Sequence, residues 1–218
     1  MTNSKQDEVP RSGTLNVVGV GEVRVKPDIA WVNLGVTTRG AIAEQAVSAN
    51  IERMKEVLGK IRALGIKEEA LQSGEPVVFP ILHHEEGPKK GQIIGYGAEN
   101  HVTVRTEIDQ AGRIFDEGIS AGANHSSTIA FGLRDETPMR KLALDVAVRS
   151  AYAEAQLIAD ATGVRLQGPH SMDIARAGGP IVTSHASHAV ASSAPSLPGK
   201  LTLTAKVTIG YTYLYGSR

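Results

Sequence analysis

Five alanines stand four residues apart: Ala143, Ala147, Ala151, Ala155 and Ala159. At 3.6 residues per turn this spacing lays a stripe of methyl groups along one side of a helix. Such a stripe lets the helix lie close against a sheet or a second helix, with Leu142, Val146 and Ile158 flanking it. Alanine carries no chemistry, so the stripe reads as a packing device. The ends of the helix are marked as well. Thr137 is the expected N-cap and Pro138 the first helical residue, where a missing N–H costs nothing, and Gly163 is the expected stop.

Two more helices follow from period. Ala43, Ala46, Val47, Asn50, Met54, Val57, Leu58, Ile61 and Leu64 recur at three- and four-residue spacing, and Gly65 supplies a left-handed end. A shorter helix from Asp109, as N-cap, to Ala121 carries Ala111, Ile114, Phe115, Gly118 and Ile119, with Gly122 ending it. The remainder alternates as strands do. Residues 14–38 are rich in valine and break at Lys26-Pro27-Asp28, a turn between two strands. Further strands are expected over 70–82, 93–106, 125–133 and 171–175. A last one has Leu201, Leu203, Ala205, Val207, Ile209, Tyr211 and Tyr213 on one face.

The fold class is therefore α+β, mainly antiparallel sheet with two long helices and one shorter, in the order ββαββαβαββ. Residues 1–13 are polar and read as a disordered tail, 14–214 as the folded domain, and 215–218 as a C-terminal tail. Within the domain, residues 178–199 are built from Gly, Pro, Ser, Ala and two His and read as a flexible loop. Both long helices run into Gly-Ile-Lys or Gly-Val-Arg, at 65–67 and 163–165, an echo that leaves an ancient duplication open.

Composition excludes more than it selects. Lys plus Arg number 23, against 23 Asp plus Glu. That balance speaks against a nucleic-acid surface or a polybasic membrane surface. There is no cysteine, so disulfides, thiolate metal sites and thiol nucleophiles are ruled out. Aromatics are 4 % of the chain, little material for base stacking. No apolar run reaches the length of a spanning helix and no leader precedes the polar start, so the chain as given reads as cytoplasmic, or periplasmic if a leader has been removed.

Candidate chemistry is sparse. Gly19-Val20-Gly21 is half of a dinucleotide fingerprint, but strand character continues through Glu22-Val23-Arg24-Val25 and no helix opens there. It reads instead as a bulge or a close backbone contact. His83-His84-Glu85-Glu86 places four potential ligands at a hairpin tip over 83–91, which makes His83 and His84 the weak metal candidates. His185 and His188 lie in the flexible loop. Ser126 and Ser127 beside His125 are neighbours along a strand rather than a catalytic set, and no nucleophile elbow is present. No catalytic residue and no cofactor site is assigned, and the chain reads as non-enzymatic.

Several segments, in order, resemble the SIMPL domain family, also called domain of unknown function 541, which includes periplasmic immunogenic proteins. They are Val18-Gly19-Val20-Gly21-Glu22-Val23, then Lys26-Pro27-Asp28-Ile29-Ala30, then Leu34-Gly35-Val36. After these come Tyr96-Gly97-Ala98-Glu99-Asn100-His101-Val102-Thr103-Val104, Gly122-Ala123-Asn124 and Ile129-Ala130-Phe131. The alanine helix ending Ala161-Thr162-Gly163 and Pro198-Gly199 complete the series. The resemblance implies an exported, envelope-associated bacterial protein, with links to oxidative stress and to large rings among its members. It brings no catalytic residue or cofactor. Gly19, Gly21, Pro27, Asp28, Gly122, Asn124, Phe131, Pro198 and Gly199 are its motif positions, and they shape a fold rather than supply chemistry. Long alternating strands with free ladders add the expectation of a homo-oligomer formed by protein contacts. A small-ligand or metal-binding module, using the 83–91 tip or the 178–199 loop, is the alternative, and a hydrolase a distant third.

Overall fold

A computed structural model describes residues 11–85, 88–175 and 199–215. In chain order its elements are β1 (Ser12–Val25), β2 (Ile29–Gly40), α1 (Ala43–Ala63), β3 (Leu71–Ser73), β4 (Val77–Leu82), β5 (Ile93–Thr106), α2 (Ile108–Ser120), β6 (His125–Gly132), α3 (Thr137–Thr162), β7 (Val164–Ala175) and β8 (Leu201–Tyr215). The class is α+β with antiparallel pairing throughout. The described elements form two compact units, one from β1, α3, β7 and β8 and the other from β2 through β6 with α1 and α2.

In the first unit the sheet order is β1-β8-β7. Val17 of β1 and Val207, Ile209 and Tyr211 of β8 meet Ala147, Ala151 and Ala155 of α3 in one buried cluster. The five striped alanines are all buried. In the second unit the order is β3-β5-β2-β6, with β4 also paired to β5. Alternation sends Ala30, Val32, Leu34 and Val36 of β2 and Val102 and Val104 of β5 toward the helices. There they are buried against Met54, Val57 and Ile61 of α1 and Ala111 and Ile114 of α2.

Asn50 of α1 is buried in this layer, and its side-chain amide donates to the carbonyls of Val36 (2.9 Å) and Ala98 (3.0 Å). One polar side chain thus ties a helix to two adjacent strands.

Four local expectations need correction. The strand expected over 70–82 is two strands, because Gly74-Glu75-Pro76 interrupts it and proline has no N–H for a ladder. The order is therefore ββαβββαβαββ. The strand expected at 171–175 begins at Val164, and it passes Gly168-Pro169 by shifting register between Leu166 and Ser171 instead of turning. Asp109 is not the cap of α2, since Glu107 occupies that position and Asp109 lies in the first turn. Glu136 precedes α3 in the cap position, while Thr137 is already helical. The backbone N–H of Thr137 donates to Asp135 Oδ1 at 2.9 Å, so the capping oxygen comes from a residue further upstream. The glycine stops at Gly65, Gly122 and Gly163 all have positive φ, as expected.

Candidate functional site

On β2, Gly35 is paired with His101 of β5 on one side and with His125 of β6 on the other. Both histidines project to the face of the sheet away from α1 and α2, because Leu34 and Val36 on either side of Gly35 point into the core. A glycine between two histidines lets the His125 backbone and the His101 ring come close to the middle strand. A methyl group there would stand 3.1 Å from His101 Cδ2 and would overlap the His125 carbonyl. Glu99 lies two residues before His101 and so shares its face. Its Oε1 is 3.4 Å from His101 Nε2 and its Oε2 is 3.4 Å from His125 Nε2. The two rings are tilted at 54° with centroids 6.1 Å apart.

His125 reaches this position through a β-bulge. Asn33 pairs with Thr128, yet Gly35 pairs with His125, three residues back rather than two. Without the extra residue Ser126 would stand opposite Gly35. Ser126 takes the strain at φ 40°, the one positive φ at a non-glycine among the described residues. Ser127 then accepts from the Gly35 N–H through its hydroxyl at 3.3 Å. Farther along the same face Thr103 donates to Asn33 Oδ1 (2.7 Å), and Asn33 Nδ2 donates to Thr128 (3.4 Å).

Beside the cluster lies a cleft of about 460 Å³ whose lining includes Arg39, Phe79, His84, Glu99 and His125. Glu99, His101 and His125 each offer a ligand atom within 4.8 Å of the others. Their side chains are 32 %, 43 % and 39 % exposed, open enough for exchange with solvent. A carboxylate between two imidazoles can ligate a cation or pass a proton, and the cleft gives either process an entrance.

A second surface feature belongs to the other unit. Among the described residues β7 pairs with β8 alone, and its Met172 and Ile174 are 62 % and 60 % exposed. The outer ladder of β7 thus lies beside uncovered apolar side chains.

The motif positions and metal candidates fall as follows. Gly19 and Gly21 lie under α3, against the backbone of Ala147 and Ala143. Pro27 and Asp28 join β1 to β2, with the Asp28 N–H donating to the Gly132 carbonyl and Asp28 Oδ1 accepting from the Arg134 N–H. After Gly122, the Asn124 side chain accepts from the Thr37 N–H (2.8 Å) and donates to the Thr37 carbonyl (3.1 Å), so it pairs with β2 as a short strand would. Phe131 packs against the core of the second unit. Gly199 is exposed before β8, while Pro198, His185, His188 and the rest of the 178–199 loop lie outside the described residues.

Among the described residues His83 and His84 belong to no group of three potential ligands. The His83 backbone closes the hairpin with Gln92 and Gly91, and its Nδ1 is buried without a partner among the described residues. His84 alone lines the cleft beside Glu99 and His125. Sequence reasoning missed the trio Glu99, His101 and His125. Glu99 and His101 were readable as one face of an alternating strand, but the pairing of β6 with β2 leaves no trace in the sequence.

Comparison with known proteins places these features in a family context. The family model SIMPL, described as "Protein of unknown function (DUF541)", matches residues 15–211. The chain is 32 % identical over 154 residues to the "26 kDa periplasmic immunogenic protein" of Brucella melitensis and equally to that of Brucella abortus. The match covers 69 % of this chain and 62 % of each relative, so it spans less than two thirds of their length. An "Uncharacterized protein YggE" from Edwardsiella ictaluri is 24 % identical over 163 residues, covering 74 % of this chain and 67 % of that one. Among solved structures, the regulatory subunit of aspartate kinase from Thermus flavus aligns over 92 % of this chain and 90 % of that one. Its TM-score of 0.21 and 10 % identity are too slight to bear on fold or function.

Proposed function

We propose that this chain, which belongs to the SIMPL family, acts as a non-catalytic, self-associating scaffold of the bacterial envelope. The observation that carries the proposal is the outer edge of β7, unpaired among the described residues, next to Met172 and Ile174. An unpaired edge invites another strand, and exposed apolar side chains beside it add burial to the hydrogen bonds that such an addition would form. A second copy of the chain is the occupant, joined through the same strand. Two relatives are named as periplasmic, which favours the envelope over the cytoplasm. Among the described residues no helix is long and apolar enough to cross a membrane. A role in oxidative stress would be exercised through such contacts.

Light scattering coupled to size exclusion tests this reading. The expected mass is a multiple of 23.0 kDa. Ile174→Lys, which puts a charge on the edge, should shift the population toward monomer without changing the circular dichroism spectrum. A strict monomer at every concentration would remove the proposal.

A further inference from the structure

We propose that Glu99, His101 and His125 form a binding site for one divalent transition-metal ion of the zinc class, with its remaining coordination open to the neighbouring cleft. The proposal stands on the geometry of the second unit alone and does not depend on self-association.

Three observations carry it. The first is distance. Charge-assisted hydrogen bonds between imidazolium and carboxylate close to about 2.7–2.9 Å. Here both separations are 3.4 Å, and both carboxylate oxygens are engaged in the same way. Two ligand atoms held about 2.0–2.1 Å from a shared tetrahedral ion stand about 3.4 Å apart. The two separations run to different oxygens of one carboxylate, and all three ligand atoms lie within 4.8 Å of one another, a spread that a shared ion could draw in.

The second is construction. Three strands contribute to the arrangement, and at Gly35 the His125 carbonyl and the His101 ring come closer than a side chain would allow. The bulge in β6 places His125, rather than Ser126, opposite Gly35, and it does so through a serine held at positive φ. An unusual backbone at such a position points toward a function for the side chain it re-aims.

The third is donor type. Two imidazoles and one carboxylate suit Zn²⁺, Co²⁺, Ni²⁺ or Cu²⁺. Calcium and magnesium are hard cations that prefer oxygen ligands, which two imidazole nitrogens do not supply. The soft ligands that hold Cu(I) through thiolate are excluded by the absence of cysteine.

The experiment uses the full chain without an affinity tag, stripped with a chelator, dialysed and titrated with Co²⁺. One equivalent should bind, with visible ligand-field bands of four- or five-coordinate intensity that Zn²⁺ then bleaches. His101→Asn, His125→Asn and Glu99→Gln should each weaken the cobalt complex by roughly 100-fold or more, since each removes a direct ligand and changes to mere supporting groups already cost about 10–100-fold. His170→Asn, on β7, should leave it unchanged. Absence of a saturable spectrum, or one-equivalent binding untouched by the three variants, would overturn the proposal. Should a variant fail to fold, the wild type still decides. Zn²⁺ should protect His101 and His125, but not His170, from acylation by diethyl pyrocarbonate, and equal labelling of all three with and without zinc would count against the site.

Discussion

Gly19 lies directly beneath the backbone of Ala147, so close that a methyl group on Gly19 would overlap the Ala147 carbonyl oxygen and stand 2.8 Å from the Ala151 methyl carbon. Gly21 stands in the same relation to Ala143. The glycine pair of β1 and the alanine stripe of α3 are thus two halves of one contact. Gly19→Ala should lower stability by about 3 kcal/mol or more, at the upper end of overpacking costs because the obstacle is backbone that has no rotamer to yield. Urea unfolding would measure it, and a loss below about 1 kcal/mol would show that α3 can move away freely.

Gly59 offers the opposite case. It sits inside α1, where a methyl group would meet no atom of the described residues within 4 Å, and it has no left-handed backbone to preserve. Gly59→Ala should therefore raise stability by about 0.5–1 kcal/mol, the helix-interior penalty of glycine removed. The same urea experiment should move its midpoint upward with an unchanged slope.

How far the sequence reached can be seen from these residues. The helices were legible because apolar period and glycine stops agree along each segment, as at Gly65 and Gly163. The split of one strand into β3 and β4 was also legible, in Gly74-Glu75-Pro76. The alanine stripe asked for a close neighbour and Gly19-Val20-Gly21 for a close backbone contact. Only the fold could show that each answers the other, across more than a hundred residues of chain. The Glu99, His101 and His125 cluster was half legible. Alternation unites Glu99 with His101, but the strand order and the bulge that bring in His125 are decided by pairing between distant segments.

Asn50 is fully buried and serves two strands with one amide. Its Oδ1 has no partner among the described residues, so the side chain works purely as a donor. Asn50→Ala should cost about 2–4 kcal/mol, combining the lost donor with the space it leaves. Asn50→Asp should be worse at neutral pH, because it turns a buried carboxylate toward two carbonyl oxygens. Thermal and urea unfolding of the two variants would rank them, and an aspartate variant as stable as wild type would contradict the geometry.

Asp135 caps α3 from outside the helix. Hydrogen bonds from the Thr137 hydroxyl and backbone N–H hold its carboxyl below the usual aspartate range. A folded-state pKa lower than the unfolded one contributes stability that is present above the unfolded value and is lost as pH falls through the folded value. Asp135→Ala should therefore lower Tm at pH 7, and the difference from wild type should shrink once pH drops below about 4. A difference that stays constant down to about pH 2 would mean the carboxylate charge plays no part in the cap.

Ser126 separates the strain of the bulge from the chemistry beside it. A residue other than glycine in left-handed backbone costs roughly 1–2 kcal/mol, and glycine recovers most of that while losing some entropy of the unfolded chain. Ser126→Gly should accordingly keep the bulge, leave the Gly35–His125 pairing intact and raise stability by up to about 1 kcal/mol. Ser126→Val should do the reverse, since a β-branched side chain tolerates positive φ poorly. Urea unfolding of both variants measures the strain. Cross-strand amide contacts between residues 35 and 125 by NMR establish whether the bulge survives. If glycine stabilised the chain while erasing those contacts, the register would be set by the serine itself. If the contacts persist, the fold holds His125 against Glu99 at a cost that the serine merely bears, and the position of His125 is determined by β2 and β6 as a pair.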